Sequence, residues 1–171
     1  MFLEGILVGM LQPDPENKRI NPQTSVAQIF AIYQKAAPNI DFCAKQINSF
    51  IDDIQNKYDI DDKHTYIVGF SQGAMLAVYT AISRKSTIGG AFSLSGLVAG
   101  RNFLAKQINS FPPIYLFHGR DDLKVQYKTL QPTVKWLKRR GLTVKTFTYP
   151  KLTHHIIESE IEKLADIINR S

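Results

Sequence analysis

The chain has 171 residues, 44% of them hydrophobic and 21% charged, which suits one soluble domain with a real core. The net charge of +6 is moderate, and a single cysteine, Cys43, excludes an internal disulfide framework and fits a reducing cytoplasm. No apolar stretch approaches the roughly 20 residues of a membrane-spanning helix, so stable membrane insertion is not expected.

The N-terminal MFLEGILVGM lacks the basic start and small-residue cleavage site of a signal peptide, and FLEGILVGM reads as one strand. LQPDPENKRINPQTS is a polar, proline-bearing loop, and VAQIFAIYQKAAP a short helix broken at Pro38. DFCAKQINSFIDDIQNKY carries Ile47, Phe50, Ile51 and Ile54 at i, i+3, i+4, i+7 spacing, an amphipathic helix. HTYIVGF (64–70) is short, β-branched and aromatic, a buried strand, and SQGAMLAVYTAISRK (71–85) a helix. GGAFSLSGL (89–97) and PIYLFHGR (113–120) are further strands. VQYKTLQPTVKWLKRRG (125–141) is mainly helix, with Pro132 in its first turn and Gly141 past its end. LTVKTFTYP (142–150) alternates as a strand, and HHIIESEIEKLADIINR (154–170) is a final helix with Ile157, Ile161, Leu164 and Ile168 on one stripe.

Strand and helix therefore alternate, which predicts a mostly parallel sheet with helices on both faces and right-handed crossovers. The densest basic run, KWLKRRG (Lys135, Lys138, Arg139, Arg140), falls near a predicted helix end, where cations suit the helix dipole. A nucleic-acid surface would need a broader stripe with interleaved aromatics or a known module, so no nucleic-acid partner is expected. No Cys/His cluster has zinc spacing, and neither a metal nor a cofactor is expected.

Gly69-Phe70-Ser71-Gln72-Gly73 matches G-x-S-x-G. By itself the motif is weak, because three fixed positions recur by chance in about one chain of this size in twenty. Its setting strengthens it: the motif lies where a predicted strand meets a predicted helix, the place for a nucleophile on a sharp turn with small neighbours two residues either side. The helix behind it offers free N–H groups to an oxyanion. A serine needs a histidine base oriented by a carboxylate, and where G-x-S-x-G forms a strand-to-helix elbow these follow in the order Ser, acid, His, each past a strand end. Asp121 and Asp122 follow the strand PIYLFHG, and His154 and His155 follow TVKTFTYP.

GFSQGAM and its following helix, the strand end FSLSG (92–96), HGRDDLKV (118–125) and Y-x-x-x-x-H-H-I (149–156) together resemble the phospholipase/carboxylesterase family of α/β-hydrolases, the relatives of acyl-protein thioesterase. The resemblance covers roughly residues 20 to 171, with 1–19 the poorly matching part of a single domain over 1–171. It implies the α/β-hydrolase fold and a carboxylesterase or phospholipase, cytoplasmic, acting on acyl esters or thioesters through an acyl-enzyme. It also implies Ser71 as nucleophile, Asp122 as the fifth position of H-G-x-x-D, His154 as base, and the Gln72 backbone N–H as oxyanion donor. His118 is structural by the same pattern, while Ser93 and Ser95 read as strand-end packing or pocket lining. The family's second oxyanion donor comes from an L-H-G-x-G-like stretch. The nearest candidate here, Leu7-Val8-Gly9-Met10-Leu11, lacks the histidine and the second glycine. The expectation is therefore a family member with its early strands missing or reduced, whose exposed sheet edge a homodimer would cover. The alternative is a catalytically weak or inactive remnant acting as a binding domain.

Overall fold

The computed structural model describes residues 20–170. Four strands, β1 (Tyr66–Phe70), β2 (Gly90–Leu94), β3 (Ile114–Gly119) and β4 (Val144–Tyr149), form one sheet in sequence order with every neighbouring pair parallel. The helices are α1 (Val26–Lys35), α2 (Ala37–Tyr58), α3 (Gln72–Ser83), the short α4 (Arg101–Leu104), α5 (Leu130–Lys138) and α6 (Glu158–Asn169).

Alternation along each strand divides the core in two. Ala91, Ile114 and Leu116, with Ile67 and Val144, face one side and pack against α1 to α5. Phe92, Leu94, Tyr115 and Phe117, with Tyr66, Phe70, Phe147 and Tyr149, face the other and meet Leu164, Ile167 and Ile168 of α6. The second face is aromatic and closely stacked, with ring centroids 4.7 Å apart for both Phe92–Tyr115 and Phe117–Phe147. β2 and β3 are buried along their whole length, as near-continuous apolar runs in a parallel sheet should be. β1 differs: among the described residues nothing pairs with its outer side, and Val68 is 37% exposed. The segment FLEGILVGM, read above as a strand, lies outside the described residues.

α3 lies between the sheet and α2, and everything from Ala74 to Ile82 is buried, so this helix is apolar all round rather than amphipathic. α1 opens on a capping box, with Gln28 N–H donating to the Ser25 hydroxyl and Ser25 N–H to the Gln28 side chain.

Two boundaries differ from the sequence expectation. The short helix before Pro38 does break there, α1 ending at Lys35, but Pro38 itself sits in the first turn of α2, where its missing N–H costs nothing, so α2 starts at Ala37 rather than near residue 41. The last helix starts at Glu158 rather than His154, because Ile157 N–H is taken by the Glu160 carboxylate and residues 154–157 remain in the loop after β4. The helix expected over 125–141 divides into a tight turn at Tyr127–Thr129 and α5, with Pro132 in the first turn and Gly141 past the end at φ +85°.

Candidate active site

The parallel register brings the C-terminal ends of all four strands to one rim, where β1 ends beside Leu94 and β3 beside Tyr149. Ser71 follows β1 directly with φ 56° and ψ −116°, a conformation that costs a non-glycine residue free energy and aims its side chain off the end of the sheet. Its N–H donates to Leu94 O (2.9 Å), tying the turn to β2. A Cβ at Gly69 would lie 2.1 Å from Gly73 O, so the strand and helix backbones leave room for glycine alone. At Gly73, a Cβ meets nothing within 4 Å, so only one of the two motif glycines is sterically required.

Of the candidates past the next strands, Asp122 and His154 meet Ser71, whereas Asp121 and His155 are exposed. His154 Nδ1 is 2.8 Å from Asp122 Oδ2 and its Nε2 is 2.9 Å from Ser71 Oγ. An ionised carboxylate only accepts, so Nδ1 carries the proton and donates, leaving Nε2 to accept from the serine hydroxyl. The other carboxylate oxygen accepts from Lys124 N–H (2.9 Å) and Val125 N–H (3.0 Å), which holds Asp122 rigidly. Burial pushes the Asp122 carboxyl up. The His154 hydrogen bond and charge outweigh it, and the carboxyl stays below its usual value.

The two loops are locked together. Asp121 N–H donates to Leu152 O (3.0 Å), and a Cβ at Gly119 would lie 2.2 Å from that same oxygen, so the H-G of the motif is a close-approach glycine. His118 is buried in the sheet end and donates from Nε2 to Val125 O (2.8 Å), bracing the turn that carries Asp122. Burial, the largest influence, pulls the His118 imidazole down toward its neutral form. The Phe70 ring lies 4.7 Å from the His154 ring and helps bury it, leaving the His154 side chain 9% exposed.

Ser95, read as strand-end packing or pocket lining, turns out of β2 at φ 52° with its hydroxyl buried and without a hydrogen-bond partner among the described residues. Tyr33 of α1 was not singled out by sequence. Burial and then the Asp122 charge raise its phenol pKa, and no spacing in the chain signals that proximity. Gln72 is the first residue of α3, where a backbone N–H has no intrahelical acceptor. The stretch Leu7–Leu11, the nearest candidate for a second oxyanion donor, lies outside the described residues. Among the described residues, no group of three or more His, Cys, Asp or Glu side chains is arranged to hold a metal ion. Two shallow hollows, at Lys63–His64–Tyr66–Gly89 and beneath α6 around Tyr115 and Phe147, include none of Ser71, Asp122 or His154.

Two outcomes follow from this geometry. Gly69→Ala destabilises the fold by about 1–3 kcal/mol or more in urea unfolding, because backbone must move. Gly73→Ala stays within about 1 kcal/mol of wild type. Because Asp122 titrates below its ordinary value when folded, its ionisation stabilises the protein above the unfolded carboxylate range, and this is lost as pH falls through the folded value. The stability difference between wild type and Asp122→Asn is thus constant above about pH 5 and shifts against wild type below about pH 4, as read by urea melts across pH.

Comparison with known proteins agrees with this architecture. Acyl-protein thioesterase 1 of Aspergillus fumigatus is 35% identical over 125 residues, covering 68% of this chain and 52% of that one. Carboxylesterase SOBER1 of Arabidopsis thaliana is 32% identical over 114 residues, covering 63% and 49%. The chain thus spans about half the length of the curated relatives it matches. The crystal structure of Arabidopsis SOBER1 superposes with a TM-score of 0.75 at 27% identity, over 78% of this chain and 65% of that one. Acyl-protein thioesterase 2 of Zea mays, with a TM-score of 0.66 at 22% identity, shares the fold. A family model described as phospholipase/carboxylesterase matches residues 16–171, nearly the whole chain, and with these neighbours it shows that the chain belongs to the phospholipase/carboxylesterase family of α/β-hydrolases.

Proposed function

We propose that this single hydrolase domain cleaves carboxylic esters, including lysophospholipid-like or S-acyl thioester substrates, through a Ser71–His154–Asp122 triad and an acyl-enzyme. The unbroken hydrogen-bonded path from a strained Ser71 through His154 to a buried Asp122 carboxylate supports this most strongly. Relatives named acyl-protein thioesterase and carboxylesterase support the substrate class.

In this mechanism Ser71 Oγ attacks the carbonyl as His154 Nε2 takes its proton, and the imidazolium then passes the proton to the departing alkoxide or thiolate. Asp122 keeps the proton on Nδ1 and stabilises the cation. Its position matters because a carboxylate with a fully buried side chain interacts more strongly than one in water. The Gln72 N–H, at the positive end of α3, donates to the tetrahedral oxyanion. Water then repeats the sequence on the acyl-Ser71 ester, releasing the acid. No cofactor takes part in these steps.

Hydrolysis of a soluble p-nitrophenyl ester checks the assignment. Ser71→Ala and His154→Ala each lose on the order of 10⁶ in kcat, and Asp122→Asn loses on the order of 10³–10⁴, since an amide at that position disfavours the productive tautomer. Asp121→Asn and His155→Gln retain wild-type kcat within about threefold. Retention of activity in Ser71→Ala would remove the proposed nucleophile.

A further inference from the structure

The basic run at the end of α5 has a role beyond a solvated helix end. The Arg140 guanidinium lies 3.7 Å over the Trp136 ring and donates to Trp136 O. Arg101, the first residue of α4, lies 3.2 Å over the Phe30 ring of α1 and donates from Nη2 to Thr133 Oγ1 (3.3 Å). Thr133, Trp136 and Arg140 follow one another at i, i+3, i+7, so Arg101 meets the same stripe that Arg140 extends. Both arginines are half-buried, and the Arg101 Nε is buried with no hydrogen-bond partner. Burial and then the charge of Arg140 pull Arg101 down to about 10, which still leaves it cationic at neutral pH.

Among the described residues no carboxylate neutralises this pair. Residues 17–40, 63–120 and 123–157, which supply α1, α4, α5 and the segments around them, contain no Asp or Glu. Among the described residues neither arginine has a carboxylate partner. The structural arginine of the fold looks different: buried Arg84 is paired with Asp52 at 2.7 Å and Asp62 at 3.3 Å. Two guanidinium groups held against aromatic rings, met by one stripe of α5 and without a carboxylate partner among the described residues, are suited to an external oxyanion.

We propose that Arg101 and Arg140 form a binding site for a phosphate-class oxyanion, separate from the Ser71 site and oriented by Phe30, Thr133 and Trp136. Inorganic phosphate and the phosphate of a lipid headgroup present the same oxygens to this pair.

Thermal unfolding of the full chain in phosphate or sulfate, against chloride at equal ionic strength, tests it. Wild type gains about 3–6 °C at about ten times Kd. Arg139→Gln, in the same basic run but exposed, gains the same amount, and Arg140→Gln gains none. Arg140→Gln is the primary variant because Arg101 also joins α1 to α5. Its hydrolysis of a soluble ester is unchanged, which separates this site from the triad. Sedimentation with phosphatidylglycerol vesicles, against phosphatidylcholine vesicles, distinguishes the sources. Binding lost in Arg140→Gln but kept in Arg139→Gln identifies a headgroup, and a thermal shift without vesicle binding identifies a free anion. No phosphate-dependent shift in wild type, or an equal shift in Arg140→Gln, would overturn the site.

Discussion

The hydrogen bond from His154 Nδ1 to the buried Asp122 carboxylate is the contact on which the rest of the site depends. It joins two loops that come from different strands and are 32 residues apart in sequence. A charged carboxylate with no solvent exposure is costly unless every oxygen is engaged. Here one oxygen takes the imidazole and the other takes two backbone N–H groups. Around it the fold is built for close approach. β3 and β4 end in register, Gly119 admits the Leu152 carbonyl, and His118 braces the acid's turn. The same rim receives Ser71 from β1, where glycine at position 69 lets strand and helix backbones nearly touch.

Legibility in the sequence followed the physics of each element. The four strands were readable because β-branched and aromatic runs bounded by glycine and proline have few other uses, and the two central ones, β2 and β3, are buried on both faces. The break before Pro38 was readable, but the start of α2 was not, because proline is tolerated in a helix's first turn as readily as it ends the preceding helix. Residues 154–157 looked helical because Ile157 continues the stripe of α6, whereas the backbone there is extended and held by Glu160. Asp121 beside Asp122, and His155 beside His154, could not be separated by spacing. Adjacent residues in a loop differ in direction, and direction is set by the Gly119–Leu152 contact and the turn at Lys124–Val125. Ser95 and Tyr33 approach the acid from β2 and α1, long-range neighbours that no local pattern announces.

Charge is distributed unevenly over the chain, and this bears on both proposed sites. The described acids concentrate in α2 and the turn after it, at Asp121–Asp122, and in α6. The long intervals between them hold Ser71, His154, Arg101 and Arg140 without a competing carboxylate other than the Asp121–Asp122 pair. That leaves Asp122 as the carboxylate paired with His154. It also leaves the α4–α5 corner cationic, with two stacked arginines and no carboxylate partner among the described residues. One sheet thus supports a neutralised charge at its strand ends and an unneutralised pair across its helical layer.

The central claim is that Ser71 is a nucleophile activated by His154. Labelling the folded chain with a fluorophosphonate probe, followed by peptide mapping, tests it most directly, because phosphonylation needs an activated serine and no knowledge of the physiological substrate. The account predicts a single adduct on Ser71 in wild type and none in a folded His154→Ala variant. Absence of the adduct in wild type, an adduct at another serine, or equal labelling without His154 would contradict it.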